Sequence, residues 1–363
     1  MAVHAELIPL QGLSAADMDR WRELAASASE PNPFYEPQYA LPAAAALEAK
    51  DLSLLVARER AEGLWLGCLP VHPGRRWRGV PLAALVSWNH LYCFLCTPLL
   101  ARGRERDALE AMLSTALAEG PGSYLGLSLI GAGGAVSDAL ARASDSAGLH
   151  LVHYERAERA GLRRRPDQGG YIAASPKHQR GFARLRRRLS EKLGETVEVV
   201  DRAGQEGMVE RFLQLESSGW KGREGTALAS VESHARMFRH ICGEFHAEGR
   251  LQLLSLEAGS HVIAMACNLR AGSTIFCFKI GVDESYAGFS PGTLLELGNT
   301  TIFHQDTDAE IMDSCAIPGN KMINNLWADR IPIEAVAVAT RRRAIVVGPA
   351  VRAAKAIRAR IRG

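Results

Sequence analysis

Residues 274–295 read Thr-Ile-Phe-Cys-Phe-Lys-Ile-Gly-Val-Asp-Glu-Ser-Tyr-Ala-Gly-Phe-Ser-Pro-Gly-Thr-Leu-Leu, and the fold turns on them. The alternation over Thr274–Val282 predicts a strand, and the apolar spacing over Gly292–His304 predicts a helix. The chain passes from one to the other at Ser290-Pro-Gly-Thr293. The N–H groups of a helix's first turn lack partners and carry the positive end of its dipole, so such a turn suits a diphosphate. Gly292 removes a side chain from that approach. The competing reading of Ser290, Gly292 and Thr293 is a well-capped core helix. Lys279 interrupts the apolar run Phe276-Cys-Phe278, and a partly buried lysine is costly unless paired. Either it pairs with Asp283 or Asp313, or it faces a cleft and takes an anionic ligand.

Outward from this stretch, the second half reads as a basic helix from Ser175 to Leu193, a strand at Val197–Val200, and helices at Glu206–Ser217 and Ser233–Glu248. Strands follow at Leu251–Glu257 and Val262–Arg270, then one at Glu310–Ser314 after the helix, and a last one at Pro332–Val338. Ser175 and Pro176 have the N-cap and first-turn chemistry of a helix start. The first half shares this order. Helices are expected after Ser14 and over Gln38–Lys50, a hairpin over Leu52–Arg58 and Leu64–Val71, and strands at Val80–Val86 and Leu91–Leu95. A helix at Arg104–Glu119, a strand at Tyr124–Ile130, a helix at Val136–Gly148 and a strand at Leu149–Tyr154 follow. The turn-rich, basic Gly161–Gly170 separates the halves. The expected class is α+β, a duplicated fold with mixed, mostly antiparallel sheets flanked by helices, divided into 1–160, 161–340 and a basic tail, 341–363.

The chain has 363 residues, 47% hydrophobic and 23% charged, which excludes wholesale disorder. Seven cysteines are too few and too scattered for a disulfide framework, and with no signal-peptide pattern at Met1–Glu6 they favour a reduced, cytoplasmic setting. The net charge of +3 is unevenly spread. Arg341–Gly363 carries eight basic and no acidic residues, leaving a mildly acidic body. Val351, Ala354, Ile357 and Ile361 fall on one helical stripe, so the tail reads as a basic amphipathic helix for an anionic membrane surface, or as a disordered basic end.

Other residues could carry chemistry. Asp313, ending a buried strand, could orient or deprotonate an amine, or simply pair with Lys279, Lys321 or Arg330. Glu216 and Lys221 flank Trp220 at a helix end, either as an acceptor site or as a packed ring with solvated charges. His90, in Trp88-Asn-His-Leu-Tyr92, could be a base, though a lone histidine among aromatics is more often a core residue. The cluster Arg184–Arg188 is either a solvated face or a wall for phosphates; without interleaved aromatics, nucleic acid is not expected. Cys93-Phe-Leu-Cys96 lacks a second pair, so no metal is expected. Gly131-Ala-Gly-Gly134 lacks the dinucleotide pattern. His234, His240 and His246 share no ligand-spaced face.

Several blocks, in order, resemble one family: Lys177-His-Gln-Arg180 with Arg184–Leu189, Glu216–Lys221 with Gly225–Leu228, Phe278–Asp283, Ser290–Leu295, Asp313 and Asn325–Arg330. Together they are similar to the CelD/BioF2-like acyltransferases, a tandem branch of the GCN5-related N-acetyltransferase (GNAT) superfamily related to the Fem aminoacyl transferases. The match covers about 170–335 and, more weakly, 50–130. The resemblance implies two tandem GNAT-like domains, the first degenerate. It implies acyl-CoA as co-substrate with no permanently bound cofactor, its diphosphate at Ser290, Gly292 and Thr293 and its pantetheine arm alongside Ile280. The catalytic candidates are then Asp313, Lys279, Glu216 and His90, with Trp220, Lys221 and Arg180 binding substrate. Direct attack of an amine needs no enzyme nucleophile. The acceptor implied is an amine, and the basic tail and apolar first half tilt it toward a lipid such as the sphingoid base of bacterial ceramide synthases. The alternatives are Fem-like transfer to a cell-wall precursor, exopolysaccharide acylation, and a non-catalytic scaffold recruited to the inner face of the membrane.

Overall fold

A computed structural model describes residues 3–59, 63–76, 83–340, 342–343 and 349. The basic tail, apart from Arg342, Arg343 and Pro349, lies outside the described residues, and with it the amphipathic-helix reading. The chain divides into two compact units: residues 1–37, 49–157 and 332–363 form unit 1, and residues 38–48 and 158–331 form unit 2.

Unit 1 begins with β1 (Val3–Pro9), which lacks strand-rich composition but pairs antiparallel with β2 (Ser53–Glu59). Pairing, not propensity, makes this strand, so the sequence reading missed it. Helix α1 (Ala15–Ser27) starts after Ser14, as expected, and does so in a capping box: Ser14 Oγ accepts from Asp17 N–H and the Asp17 carboxylate accepts from Ser14 N–H. It buries Trp21 and Leu24, and the Trp21 indole N–H donates to the Tyr35 carbonyl at 2.9 Å. Helix α2 (Pro37–Ala46) leaves this unit after Pro37. The sheet continues with β3 (Trp65–Gly74) and β4 (Ala84–Ser87); the two-residue β5 (Leu99–Leu100) pairs with β3. The expected strand at Leu91–Leu95 is instead irregular, entered by a turn in which Cys93 N–H bonds the His90 carbonyl. Helix α3 (Glu105–Glu119), β6 (Tyr124–Gly131), α4 (Ala135–Ser146) and β7 (Leu149–Arg163) follow. β4 and β6 are parallel.

Unit 2 takes up β7 at Glu158. The strand runs to Arg163, through residues expected to be linker, because Ala160 and Leu162 are fully buried. Arg164 is structural. Its guanidinium donates to the carbonyls of Phe303, His304, Asp306 and Ala309, closing the end of a helix 140 residues away. Helix α5 (Pro176–Leu193) has Ser175 as its cap and stops at the left-handed Gly194. Then come β8 (Val197–Asp201), α6 (Met208–Ser218), the short α7 (Trp220–Arg223), α8 (Glu232–Ala247), β9 (Leu251–Ala258), β10 (His261–Ala271), β11 (Thr274–Val282), α9 (Pro291–Gln305), β12 (Ile311–Asp313), α10 (Lys321–Leu326) and β13 (Asp329–Thr340). The order β8-β9-β10-β11 is antiparallel, and β11 pairs parallel with β12.

The units repeat one plan: four antiparallel strands, then a helix, then a strand parallel to the fourth. Each sheet closes with a strand distant in sequence. β13 from Ile333 onward pairs with β6 in unit 1, and the last residues of β7 pair with β12 in unit 2. The fold is α+β as expected, mostly antiparallel strands flanked by helices, with one topology repeated in the two units.

Candidate active site

In unit 2 the parallel pair is short. β11 and β12 are in register only from Thr274↔Ile311 to Phe276↔Asp313, so beyond Phe276 β11 keeps its ladder to β10 but not one to β12. Asp283 N–H bonds the Ile263 carbonyl at 2.9 Å, which sets the parity of the β10–β11 ladder. In an antiparallel ladder hydrogen-bonded pairs alternate, so Gly281 and Lys279 bond β10 while Ile280 and Val282 turn their N–H and C=O to the other edge. Lys221 Nζ reaches the Ile280 carbonyl on that edge at 2.7 Å.

The edge leads to the start of α9. Ser290 is left-handed (φ 52°), its hydroxyl makes no capping bond, and the first turn carries no acidic residue. Gly292 and Thr293 therefore offer N–H groups at the positive end of the dipole. A Cβ on Gly292 would sit 3.8 Å from Val282 and 3.9 Å from Ile280, so the fold itself would admit a side chain there. Lys192 Nζ lies 5.3 and 5.4 Å from the ring centroids of Tyr286 and Phe289, and the Arg188 guanidinium 6.0 Å from that of Phe289. These exposed cations on α5 stand over the loop entering α9.

Unit 1 fills the equivalent place with its own chain. Cys96 N–H bonds the Leu129 carbonyl, Gly131 N–H bonds Thr97 Oγ1 and Ser128 N–H bonds Ser87 Oγ, so the β6 edge is occupied where β4 leaves it. The start of α3 carries Glu105 and Asp107, which repel an anion. The Glu30 carboxylate accepts from Val136 N–H at the start of α4.

On the opposite face of β11 lies a charged cluster. A bulge between Cys267 and Asn268 inserts Phe278 as an extra residue. Such an insertion re-aims side chains. Phe278 packs on Phe238 and Tyr39, and Lys279 enters the same face. This is why the apolar alternation breaks at Lys279. Gly281 lets α6 rest on the strand, since a Cβ there would lie 3.0 Å from Glu216 N. The buried Glu216 accepts from Lys221 Nζ (3.1 Å) and Leu228 N–H (2.9 Å). Burial lowers the Lys279 pKa to about 8; Glu216 opposes the shift and Lys221 adds to it. His234 on α8 has its pKa lowered by burial and by the Lys279 charge. Trp220 is 52% exposed, and its N–H and Arg223 are both held by Glu284.

The structure thus brings Lys279, Glu216, Lys221 and Trp220 to one face of β11, and Ile280, Ser290, Gly292 and Thr293 to its free edge and the start of α9. His234 joins the first group; nothing in its spacing in the sequence marks it. Arg180 is an exposed residue near the start of α5, outside that cluster. Asp313 is buried against Arg159, whose Nη2 donates at 2.6 Å, and its other oxygen accepts from Cys315 N–H. None of the three partners expected of Asp313 holds it, and a proton-accepting role would require this ion pair to open. Asp283 caps Ser285 N–H. His90 belongs to unit 1, stacked on Trp88 with its Nδ1 accepting from Tyr92 N–H; burial lowers its pKa to about 3. Among the described residues no group of His, Cys, Asp or Glu is arranged to hold a metal ion, and no helix is long and apolar enough to cross a membrane.

Residues 176–298 match the family model described as the acetyltransferase (GNAT) domain. No curated protein matches the chain by sequence. Among solved structures, FemX superposes with a TM-score of 0.58 at 10% identity, covering 91% of this chain and 98% of its own. The C-terminal domain of a putative lysylphosphatidylglycerol synthetase from Agrobacterium fabrum gives 0.52 at 11%, covering 92% and 95%. A protein from Bacteroides thetaiotaomicron VPI-5482 gives 0.57 at 13%, covering 92% and 99%. At such identities the likeness is one of fold. Residues 176–298 thus carry a GNAT-type acetyltransferase domain, and the chain is an acyltransferase.

Proposed function

We propose that this protein moves an acyl group from an acyl-CoA thioester to an amine. One observation carries the reading: in unit 2 the free edge of β11 runs into an uncapped, acid-free helix start, while unit 1 fills the same place with its own backbone. The pantetheine arm would pair its amides with the Ile280 and Val282 main chain, as an added strand does. The diphosphate would take the Gly292 and Thr293 N–H groups, and the outer phosphate Lys192 and Arg188. In the transfer the amine nitrogen bonds the acyl carbon, the carbon–sulfur bond breaks, the nitrogen's proton goes to a base and the thiolate is protonated on leaving. Lys279, with its lowered pKa, and His234 are the candidate bases.

The acceptor in this proposal is an amine on a lipid, of the sphingoid-base kind, which would place the protein among the ceramide synthase-like members of the CelD/BioF2-like branch. The half-exposed Trp220 ring suits an aliphatic chain, but it also suits a sugar face, so amino sugars are assayed beside long-chain amines. Fem-like transfer from aminoacyl-tRNA has less support, because α5 presents only one exposed ring, His178, on which a base could stack. Isothermal titration with CoA and acyl-CoAs of increasing chain length, followed by thiol-release assays with each amine, tests the reading. Binding in the micromolar range, weakened at least tenfold in Gly292→Val with an unchanged melting temperature, is expected. No binding at any chain length would remove the acyl-CoA assignment.

A further inference from the structure

A second concavity of unit 2 is not used by the transfer. It is a cleft of about 870 Å³ between α5, β8 and α9, within the range of about 300–1,000 Å³ typical of ligand pockets. Its floor is apolar: Ile172, Phe182, Leu297 and Ile302 are only half-buried there, and Leu256 and Leu294 lie beneath. The floor persists because α9 and β8 meet closely, with Gly298 against Val199, where a Cβ would lie 2.3 Å from a methyl carbon.

The rim is cationic. Arg186, tethered to the Val197 carbonyl at 2.9 Å, and Arg187 line one wall, and Glu198 on β8 is the lone carboxylate in the lining. The wall continues onto the outer face of α5, where Lys177, Arg180, Arg184, Arg187 and Arg188 are all exposed. Their spacing places them on one side of the helix, opposite the buried Leu189. The acidic residue among them, Glu191, is 3.4 Å from Arg187. A soluble anion has no use for the apolar floor, and a nucleic acid would find on α5 a single exposed ring, His178, rather than the row of rings on which successive bases stack. An amphiphile with a negative head uses both.

We propose that the α5–α9 cleft is a lipid site, taking an acyl chain of an anionic phospholipid whose headgroup is held by Arg184 and Arg187, with the outer face of α5 lying on the bilayer. A basic face of this size is attracted to an anionic leaflet, and a cleft opening beside it gives one chain a place to leave the membrane. The headgroup residues Arg184 and Arg187 are not among those assigned to the donor, although Arg188 lies on the same face of α5 and Leu294 follows the donor turn, so the tests use variants that leave Arg188, Lys192 and Gly292 intact.

Co-sedimentation of the full-length protein with phosphatidylglycerol/phosphatidylcholine vesicles, against phosphatidylcholine alone, is the first test. The exposed triple variant Lys177→Glu/Arg184→Glu/Arg187→Glu should lose at least tenfold in partitioning. Unchanged partitioning would assign the attraction to another basic segment, such as 341–363, and overturn the proposal. Titration below the micelle concentration separates chain from head. Dioctanoylphosphatidylglycerol should bind at least tenfold more tightly than glycerophosphoglycerol, and Ala183→Glu, at an exposed cleft position, should abolish that difference. Equal binding of lipid and headgroup would reduce the cleft to an anion patch. Tighter binding of an RNA hairpin than of vesicles at the same salt would also overturn the assignment.

Discussion

Lys279 shows how one side chain is placed by a local irregularity. Were the alternation of Ile275 and Cys277 to run on unbroken through Phe278, Lys279 would lie on the opposite face of β11, among the apolar residues beneath α9; the bulge that takes up Phe278 turns it toward Glu216 and His234. Burying an amine costs stability and lowers its pKa together. Lys279→Met should therefore keep or raise the melting temperature while lowering kcat by about 100-fold, the usual scale of a lost proton-transfer group. The folded pKa of about 8 lies below the ordinary 10.5, so the unfolded chain binds more protons between these values, and the stability of the wild type relative to Lys279→Met should rise across pH 8–10.5. kcat/KM should show an ascending limb near pH 8 that the variant lacks. Asp313 behaves differently. Replacing Arg159 by Ala strands a buried carboxylate and should cost about 3–5 kcal/mol in denaturant unfolding. A lost activity in Asp313→Ala must then be read beside its stability. The sequence flagged Lys279 as an anomaly but could not supply its partners, because Glu216 and His234 reach it through helix packing across tens of residues.

Helix α9 is the element on which the site depends, and its two ends are built differently. Its start is left open at Gly292 and Thr293, whereas its end is closed by Arg164 from beyond β7. Arg164→Ala would release several carbonyls at once and should destabilise the protein by about 1–3 kcal/mol, measured by urea unfolding. In the middle, Glu296 is buried, and burial raises its pKa to about 7 while the hydrogen bond from Asn299 Nδ2 holds it down in part. The folded state thus keeps a proton that the unfolded chain loses above about pH 4.5, so Glu296 costs stability as pH rises from 4.5 to 7. Glu296→Gln keeps an oxygen for Asn299 and should flatten that slope, making the variant more stable than wild type at pH 8 but not at pH 4. The helix and its turn were legible from residues 290–304. Arg164 was not, because a basic, glycine-bounded stretch reads as linker until the carbonyls it caps are known.

At the scale of the molecule the two units share a topology without sharing a site. The difference lies in a few bonds: Cys96 and Thr97 occupy the β6 edge in unit 1, whereas among the described residues the β11 edge beyond Phe276 in unit 2 meets the Lys221 ammonium at the Ile280 carbonyl and no backbone ladder. Ligand binding to folded unit 2 should stabilise the protein by mass action, by about 2.7 kcal/mol at 100 times Kd, and calorimetry with CoA should show a melting-temperature rise that Gly292→Val abolishes. The sequence alone determined what depends on neighbours a few residues apart: the Ser14–Asp17 and Ser175 caps, the stop at Gly194, the hairpin periodicity, the Ser290–Thr293 turn and the oddity of Lys279. Those features arise from propensities and hydrogen bonds closed within one turn of chain. Only the tertiary structure decided that β1 is a strand, that residues 38–48 belong with unit 2, that β13 completes unit 1, and that Asp313 faces Arg159. Each of these is a contact closed over a long loop, whose entropic cost is recovered only when the whole sheet forms, so no local pattern announces it.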